Sequence, residues 1–356
     1  MKENVLSNSV SRRGFLKGAA ALGAAGLFSI SGSALLTGCA PKSSGPANVR
    51  FQPSWIPDMQ NGGNYAAISQ GYYEAEELTV EILPGGPGIL GGAVVDSGDA
   101  ELGEMASSVD LVKTVSQGTK LMTFGTVFQR SPAGLAYIQK YPDGAVGADY
   151  SGGPASLKGK RVGIQGGPNL PWRVMCAEAG IDPEGDVEVV NVGFDLAPLL
   201  EGTVDAIWCF LTNQPGMVRG MGYEIGTIDS YEWGYRVPGN FYITKPTYLE
   251  DNFDVAVRWL RATRKGWEFS NSNCAVVSED VTSKLAETYG TQLDQQVVQC
   301  QDQAPFMESD LTKDKGLLYV NVGDWENAIK ILSDIGELET VPSVEDFVST
   351  DVLDKI

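Results

Sequence analysis

Histidine is absent from this 356-residue chain. That removes every Ser–His–Asp or Cys–His nucleophile pair, every imidazole general base and every histidine metal ligand. Positive charge is scarce as well, with 26 Lys and Arg against 45 Asp and Glu and a formal net charge of −19. A surface this acidic repels phosphate backbones, so nucleic-acid partners are disfavoured. Cysteine is sparse, five in all, and no two have the C-x-x-C spacing of a metal or redox site. No cofactor and no metal centre is expected. What is plentiful is core material: 43% of the residues are apolar, over a length that suits two domains.

The N-terminus carries the most specific signal. Ser11-Arg12-Arg13-Gly14-Phe15-Leu16-Lys17 precedes a run rich in Gly, Ala and Leu, the address read by the twin-arginine export system through Arg12 and Arg13. A membrane-spanning helix is the competing reading, but glycines and serines interrupt the run. Its ending, Leu36-Thr37-Gly38-Cys39, resembles the lipobox of bacterial lipoproteins, which implies lipidation of Cys39 at a new N-terminus. Residues 1–38 are therefore expected to be a removable signal, and residues 39–48 a lipidated cysteine and tether. Cys176, Cys209, Cys274 and Cys300 have apolar neighbours and read as buried thiols, although an oxidising exterior also permits disulfides.

Beyond the tether, strand and helix patterns alternate. Strands are expected at 49–52, 79–83, 121–128 and 133–139, with helices at 61–69 and 109–116. A Gly-, Asp- and Pro-rich stretch at 141–154 reads as a boundary. A second series follows: strands at 161–165, 187–190, 206–209 and 223–228, with helices at 171–179, 196–200 and 214–220. This rhythm argues for two α/β lobes with mixed sheets flanked by helices. After residue 243 the chain turns mainly helical.

Several segments resemble one family. They are Trp55-Ile56-Pro57, Gly63-Asn64-Tyr65-Ala66-Ala67, Gly71-Tyr72-Tyr73-Glu74, Phe128-Gln129-Arg130-Ser131-Pro132, Leu157-Lys158-Gly159-Lys160 and Gly202-Thr203-Val204-Asp205-Ala206. They resemble the substrate-binding proteins of ABC importers, in the branch related to thiamine-pyrimidine synthases and to alkanesulfonate-, riboflavin- and pyrimidine-binding proteins. The resemblance implies a two-lobed periplasmic-binding-protein-like fold of type II with a ligand cleft between the lobes. It implies lobe 1 at residues 49–140 plus 243–356, lobe 2 at 141–242, and hinges near 137–156 and 239–244. Its synthase members consume a histidine of their own as the source of the pyrimidine ring, and this chain has none. A transport role is therefore expected rather than an enzyme: a monomer anchored by lipid to the outer face of the cell membrane, handing a small ligand to an ABC permease and its ATPase.

Ligands of open α/β sheets bind at the carboxyl ends of strands, so each strand nominates its following loop. The first strand delivers Trp55, Asn61 and Asn64, with Tyr65 on the next helix. Trp55 offers a flat face for a heterocycle, worth about 0.5–1.5 kcal/mol beyond burial; core packing is the plainer reading of Trp55 and Tyr65. Ser108 suits the N-cap of the helix at 109–116, and Ser107 and Ser108 could hold an oxyanion or a ligand hydroxyl. Gln129 ends the strand before Ser131. In the second half, Gly166, Gly167 and Asn169 lead into a helix N-terminus, where Trp172 is placed to clamp the ligand opposite Trp55. Asp195 completes the set, with helix capping as its simpler role. A flat nitrogen heterocycle is the expected ligand, with sulfonate or nitrate as the alternative.

Overall fold

The computed structural model describes residues 45–356 apart from Pro87 and Phe194. Arg12, Arg13, Cys39 and most of the tether lie outside the described residues. Residues 44–356 form one compact unit. Its strands are β1 (Ala47–Gln52), β2 (Leu78–Ile82), β3 (Leu102–Ser107), β4 (Met122–Phe128), β5 (Ala133–Lys140), β6 (Arg161–Ile164), β7 (Glu188–Asn191), β8 (Ala206–Phe210), β9 (Glu224–Asp229) and β10 (Gly239–Thr244). They divide into two five-stranded sheets, ordered β2-β1-β3-β10-β4 and β7-β6-β8-β5-β9. In each sheet one strand runs antiparallel to its neighbours, β10 in the first and β5 in the second.

The helices are α1 (Gly62–Ser69), α2 (Tyr72–Ala75), α3 (Gly91–Ser97) and α4 (Ser108–Ser116) around the first sheet, then α5 (Leu170–Ala179), α6 (Ala197–Leu200) and α7 (Gln214–Gly220) around the second. The chain continues as α8 (Pro246–Ser272), α9 (Cys274–Tyr289), α10 (Leu293–Met307), α11 (Asp310–Lys315) and α12 (Val322–Asp334). None of the described helices is long and apolar enough to cross a membrane. The two-lobed, mixed-sheet α/β architecture is the expected one.

The lobe boundaries differ from the expected ones. β5 was assigned by sequence to lobe 1 but lies in the second sheet, paired with β8 and β9. β10 was split at the 242/243 boundary but lies whole in the first sheet, between β3 and β4. The crossovers are consequently residues 129–132 and 230–238. The reason is local: β4 and β5 are both buried apolar runs, and nothing in either pattern states which sheet it joins. Ala47 and Asn48, assigned to the tether, already pair with β2. The crossovers are fastened side by side. The Ser131 N–H donates to the Val237 carbonyl (2.8 Å), Arg130 pairs with Asp229 (3.0 Å), and its guanidinium lies 4.4 Å from the centre of the Phe306 ring.

One face of the first sheet packs on α1 and α8 through aromatic side chains. Tyr242 on β10 meets Trp259 edge-on at 4.9 Å and Phe51 at 5.8 Å. Its hydroxyl donates to Asn64 Oδ1 (3.0 Å) and accepts from the Trp267 indole (2.8 Å). Asn64 Nδ2 in turn donates to Tyr73 (3.1 Å). The opposite face packs Phe241 against Trp325 at 4.7 Å. The expected thiols at Cys274 and Cys300 are instead a disulfide joining α9 to α10, with Cα atoms 5.6 Å apart. Cys176 and Cys209 are free and buried, and burial pushes both thiols up to about 12.

Asn64→Ala would leave two buried tyrosine hydroxyls short of a partner. Denaturant unfolding is expected to show a loss of about 2–3 kcal/mol, with ligand affinity unchanged in the protein that remains folded.

Candidate functional site

The carboxyl ends of β3 and β8 open onto a cavity of about 360 Å³ between the two sheets. The first lobe contributes Ala106, Ser107, Ser108, Val109, Asp110 and Lys113. The crossovers contribute Ser131, Tyr235 and Pro238, and the second lobe Ala133, Asn169, Leu170, Pro171, Trp208 and Phe210. Two other cavities lie away from this junction of both lobes and both crossovers. One is lined by Glu101, Lys245 and Asp251 in the first lobe. The other, also between the lobes, is lined by Glu178 of α5, Arg236 of the second crossover and Asp324 of α12.

Two helix N-termini face the junction cavity, and their caps settle which side chains remain free. Ser107, not Ser108, caps α4: its Oγ accepts from the Asp110 N–H (3.3 Å). This frees Ser108, which is wholly buried with a hydroxyl that has no hydrogen-bond partner among the described residues. A buried hydroxyl without a partner costs about 1–3 kcal/mol; Ser108 lines the cavity, but its hydroxyl has no surface open to it, so it can meet a ligand acceptor only after its side chain rotates. Asn169 caps α5, accepting from the Trp172 N–H (3.0 Å). Aromatic area comes from Trp208 and Phe210 at the end of β8 and from Tyr235 in the second crossover. Burial holds the Tyr235 hydroxyl far above the ordinary tyrosine range, so it stays protonated.

Beside the cavity, the β1 loop is organised by a buried carboxylate. Glu104 Oε2 accepts from the Ser54 hydroxyl (2.7 Å), the Ser54 N–H (3.3 Å) and Asn61 Nδ2 (3.2 Å). Its Oε1 accepts from Asn240 Nδ2 (3.3 Å). Burial raises the Glu104 pKa, and these donors oppose the rise. Trp55, half-buried, follows Ser54 in this loop. Asp58 closes the loop: it accepts from the Gln60 N–H (2.7 Å) and Gln299 Nε2 (3.1 Å). Burial raises its pKa to about 6 despite both donors.

Of the residues nominated by sequence, Ser107, Ser108 and Asn169 meet in the cavity. Asn61 stands behind it, bonded to Glu104, and Trp55 lies on the adjoining loop. Gly166 and Gly167 form the turn just before Asn169, with φ of 71° and 91°, and each faces open space on the side a β-carbon would occupy. The others lie elsewhere. Asn64 is in the aromatic core described above, and Tyr65 packs with Val277 and Val281. Gln129 ties β4 to the C-terminal segment, donating to the Thr126 and Tyr319 carbonyls (3.3 and 3.0 Å). Trp172 is fully buried beside Ile164 and Met175, its indole donating to the Pro183 carbonyl (3.1 Å). It therefore cannot clamp a ligand against Trp55. Asp195 is exposed and accepts from the Ala197 N–H (3.0 Å) at the start of α6. Trp208, Phe210, Tyr235 and Glu104 were missed. Trp208 lies within the strand expected at 206–209 and Phe210 directly after it, so the rule that nominated loops, extended to each strand's last residues, would have found both.

The NMT1/THI5-like family model matches residues 58–273, more than half of the chain. The chain belongs to the NMT1/THI5-like family. The riboflavin-binding protein RibY of Chloroflexus aurantiacus is similar to this family member, with 24% identity over 303 residues, 83% of each chain. The formylaminopyrimidine-binding protein of Halalkalibacterium halodurans is 27% identical over 234 residues, 63% of this chain and 67% of the relative. A shorter match, 24% over 160 residues and under half of either chain, is to the 4-amino-5-hydroxymethyl-2-methylpyrimidine phosphate synthase of Schizosaccharomyces pombe. Among solved structures, the periplasmic aliphatic sulphonate binding protein of Escherichia coli shares the fold at a TM-score of 0.62 and 14% identity, over 85% of this chain and 92% of that one. Residues 9–29 match the twin-arginine signal model, the address for export by that route.

Asp58 provides a check on the β1 loop. Its folded pKa stands above the ordinary 3.8, so its contribution to stability is fully present below about pH 4 and is lost as pH rises through about 6. Asp58→Asn can keep both contacts after an amide rotation of Gln299. In chemical denaturation the variant is expected to match the parent near pH 4 and to exceed it by about 2 kcal/mol above pH 6.

Proposed function

We propose that this family member is the lipid-anchored binding component of an ABC importer, and that it captures a flat nitrogen heterocycle between its lobes and hands it to a permease. The observation that carries this reading is the junction cavity. Its second-lobe wall is aromatic, through Trp208 and Phe210, while its first-lobe wall is the N-terminus of α4 with Ser107 and Ser108. Aromatic faces give a planar ring its burial and stacking, and a small number of placed polar groups give it orientation. A volume of about 360 Å³ lies at the small end of the range for ligand pockets, about 300–1,000 Å³. The names of the riboflavin- and formylaminopyrimidine-binding relatives support a ring-containing ligand.

A sulfonate or nitrate is the second reading, favoured by the two helix N-termini that face the cavity. Asp110 on the cavity wall and the net charge of −19 oppose it. A pyrimidine-forming enzyme is opposed by the missing histidine. Anchoring through Cys39 would keep the cleft near the membrane that holds the permease, with the residues before β1 as a tether.

The test is thermal unfolding of residues 40–356 against riboflavin, hydroxymethylpyrimidine, thiamine, nucleobases, alkanesulfonates, taurine and nitrate. A ligand at about 1,000 times its dissociation constant stabilises by roughly 4 kcal/mol, a rise of a few degrees. The expected result is a rise with a heterocycle. Trp208→Ala should weaken its binding about 10- to 100-fold, and Ser108→Ala by about 5- to 10-fold. A rise with sulfonates or nitrate alone would replace the heterocycle by an anion, and no rise with any compound would sink the transport reading. Metabolic labelling with palmitate, lost in Cys39→Ala, tests the anchor.

A further inference from the structure

The lobes also meet outside the ligand cavity, where α7 of the second lobe lies across α10 of the first. A β-carbon on Gly216 would stand 2.5 Å from Val298 Cγ1 and 2.9 Å from Asp302 Oδ2. Any larger residue there would force the Val298 and Asp302 side chains to shift. One turn further along α7, Arg219 forms an ion pair with Asp302 of α10. The seam is apolar beneath: Val218 and Leu211 of the second lobe belong to one continuous hydrophobic cluster with Phe306 and Met307 of the first. Gly216, Arg219, Val298 and Asp302 do not line the ligand cavity. A direct mechanical link joins the seam to it, since Gln214 in the first turn of α7 accepts from the backbone N–H of Phe210 (3.1 Å), a residue of the cavity wall.

We infer that the α7–α10 seam is a latch that sets ligand affinity from outside the ligand site. Seating Gly216 on Val298 and pairing Arg219 with Asp302 supplies part of the free energy of lobe closure, and the Gln214–Phe210 bond carries that closure to the cavity wall. Apparent affinity equals intrinsic affinity multiplied by the fraction of molecules able to close. Residues of the seam therefore change affinity without touching ligand. The inference rests on the proposed closure of two lobes on a ligand, but the seam itself can be tested without one.

Small-angle scattering of ligand-free residues 40–356 is compared for the parent, Gly216→Val and Arg219→Gln. The latch requires a larger radius of gyration for Gly216→Val, because the added methyl groups hold α7 off α10. Arg219→Gln, which leaves the packing intact, should show a smaller change in the same direction. Titration with riboflavin and hydroxymethylpyrimidine then reads affinity, expected to fall about ten-fold or more for Gly216→Val and about two- to five-fold for Arg219→Gln. Equal radii and equal affinities in all three proteins would overturn the latch. If the parent binds neither compound, affinity is read with whichever compound of the panel above stabilises it, and scattering still decides the seam. If Gly216→Val does not fold, Arg219→Gln alone decides, and an unchanged radius overturns the inference.

Discussion

The buried carboxylate of Glu104 is the constraint on which the first lobe's rim depends. A carboxylate removed from water is costly unless donors surround it. Here the donors are Ser54 and Asn61, both in the connection from β1 to α1, and Asn240 on β10, remote from them in sequence. One side chain therefore fixes the start and the end of the loop between β1 and α1 and ties it to the first residues of β10. The second crossover runs into β10, so the same carboxylate anchors one end of the link between the lobes. An apolar residue at this position would strip an acceptor from the buried Asn61 and Asn240 and from the half-buried Ser54, although Asn240 would keep its bond to Gln60 (3.3 Å).

The cavity draws on the two lobes unequally. The first lobe offers hydroxyls and a helix N-terminus, placed by the Ser107 cap. The second offers flat apolar area at the end of β8, and Tyr235 arrives on the crossover itself. The second lobe also presents the Asn169-capped N-terminus of α5, so helix N-termini face the cavity from both sides while the aromatic area comes from β8 and the second crossover. A ring held between them would be enclosed only when the sides approach.

Much of this architecture was legible in the sequence because alternating strand and helix patterns are local. The two lobes, the helix at 109–116 and the Asn169 cap follow from short-range signals. β3 went unread because a glycine and a glutamate interrupt it, and the glutamate is the buried Glu104. The crossovers, expected near 137–156 and 239–244, fall instead at 129–132 and 230–238, because only four residues separate β4 from β5 and an abrupt change of sheet leaves no mark in periodicity. Trp172 was misplaced for a related reason. Its nearness in sequence to the helix N-terminus suggested the cleft, but the turn set by Asn169 and Pro171 points its ring into the core. Trp208 was passed over because it sits in a strand, where an apolar residue reads as core.

The fastening of the two crossovers limits how the molecule can move. Arg130 joins Asp229 and lies over Phe306, while Ser131 bonds to Val237, so neither segment can slide past the other without breaking these contacts. Shear between the lobes is resisted, and bending about the pair is the remaining freedom. Bending at such a joint would move the mouth of the cavity and the outer surfaces of both lobes together. A body resting on both outer surfaces at once would register that bend without reaching the cavity.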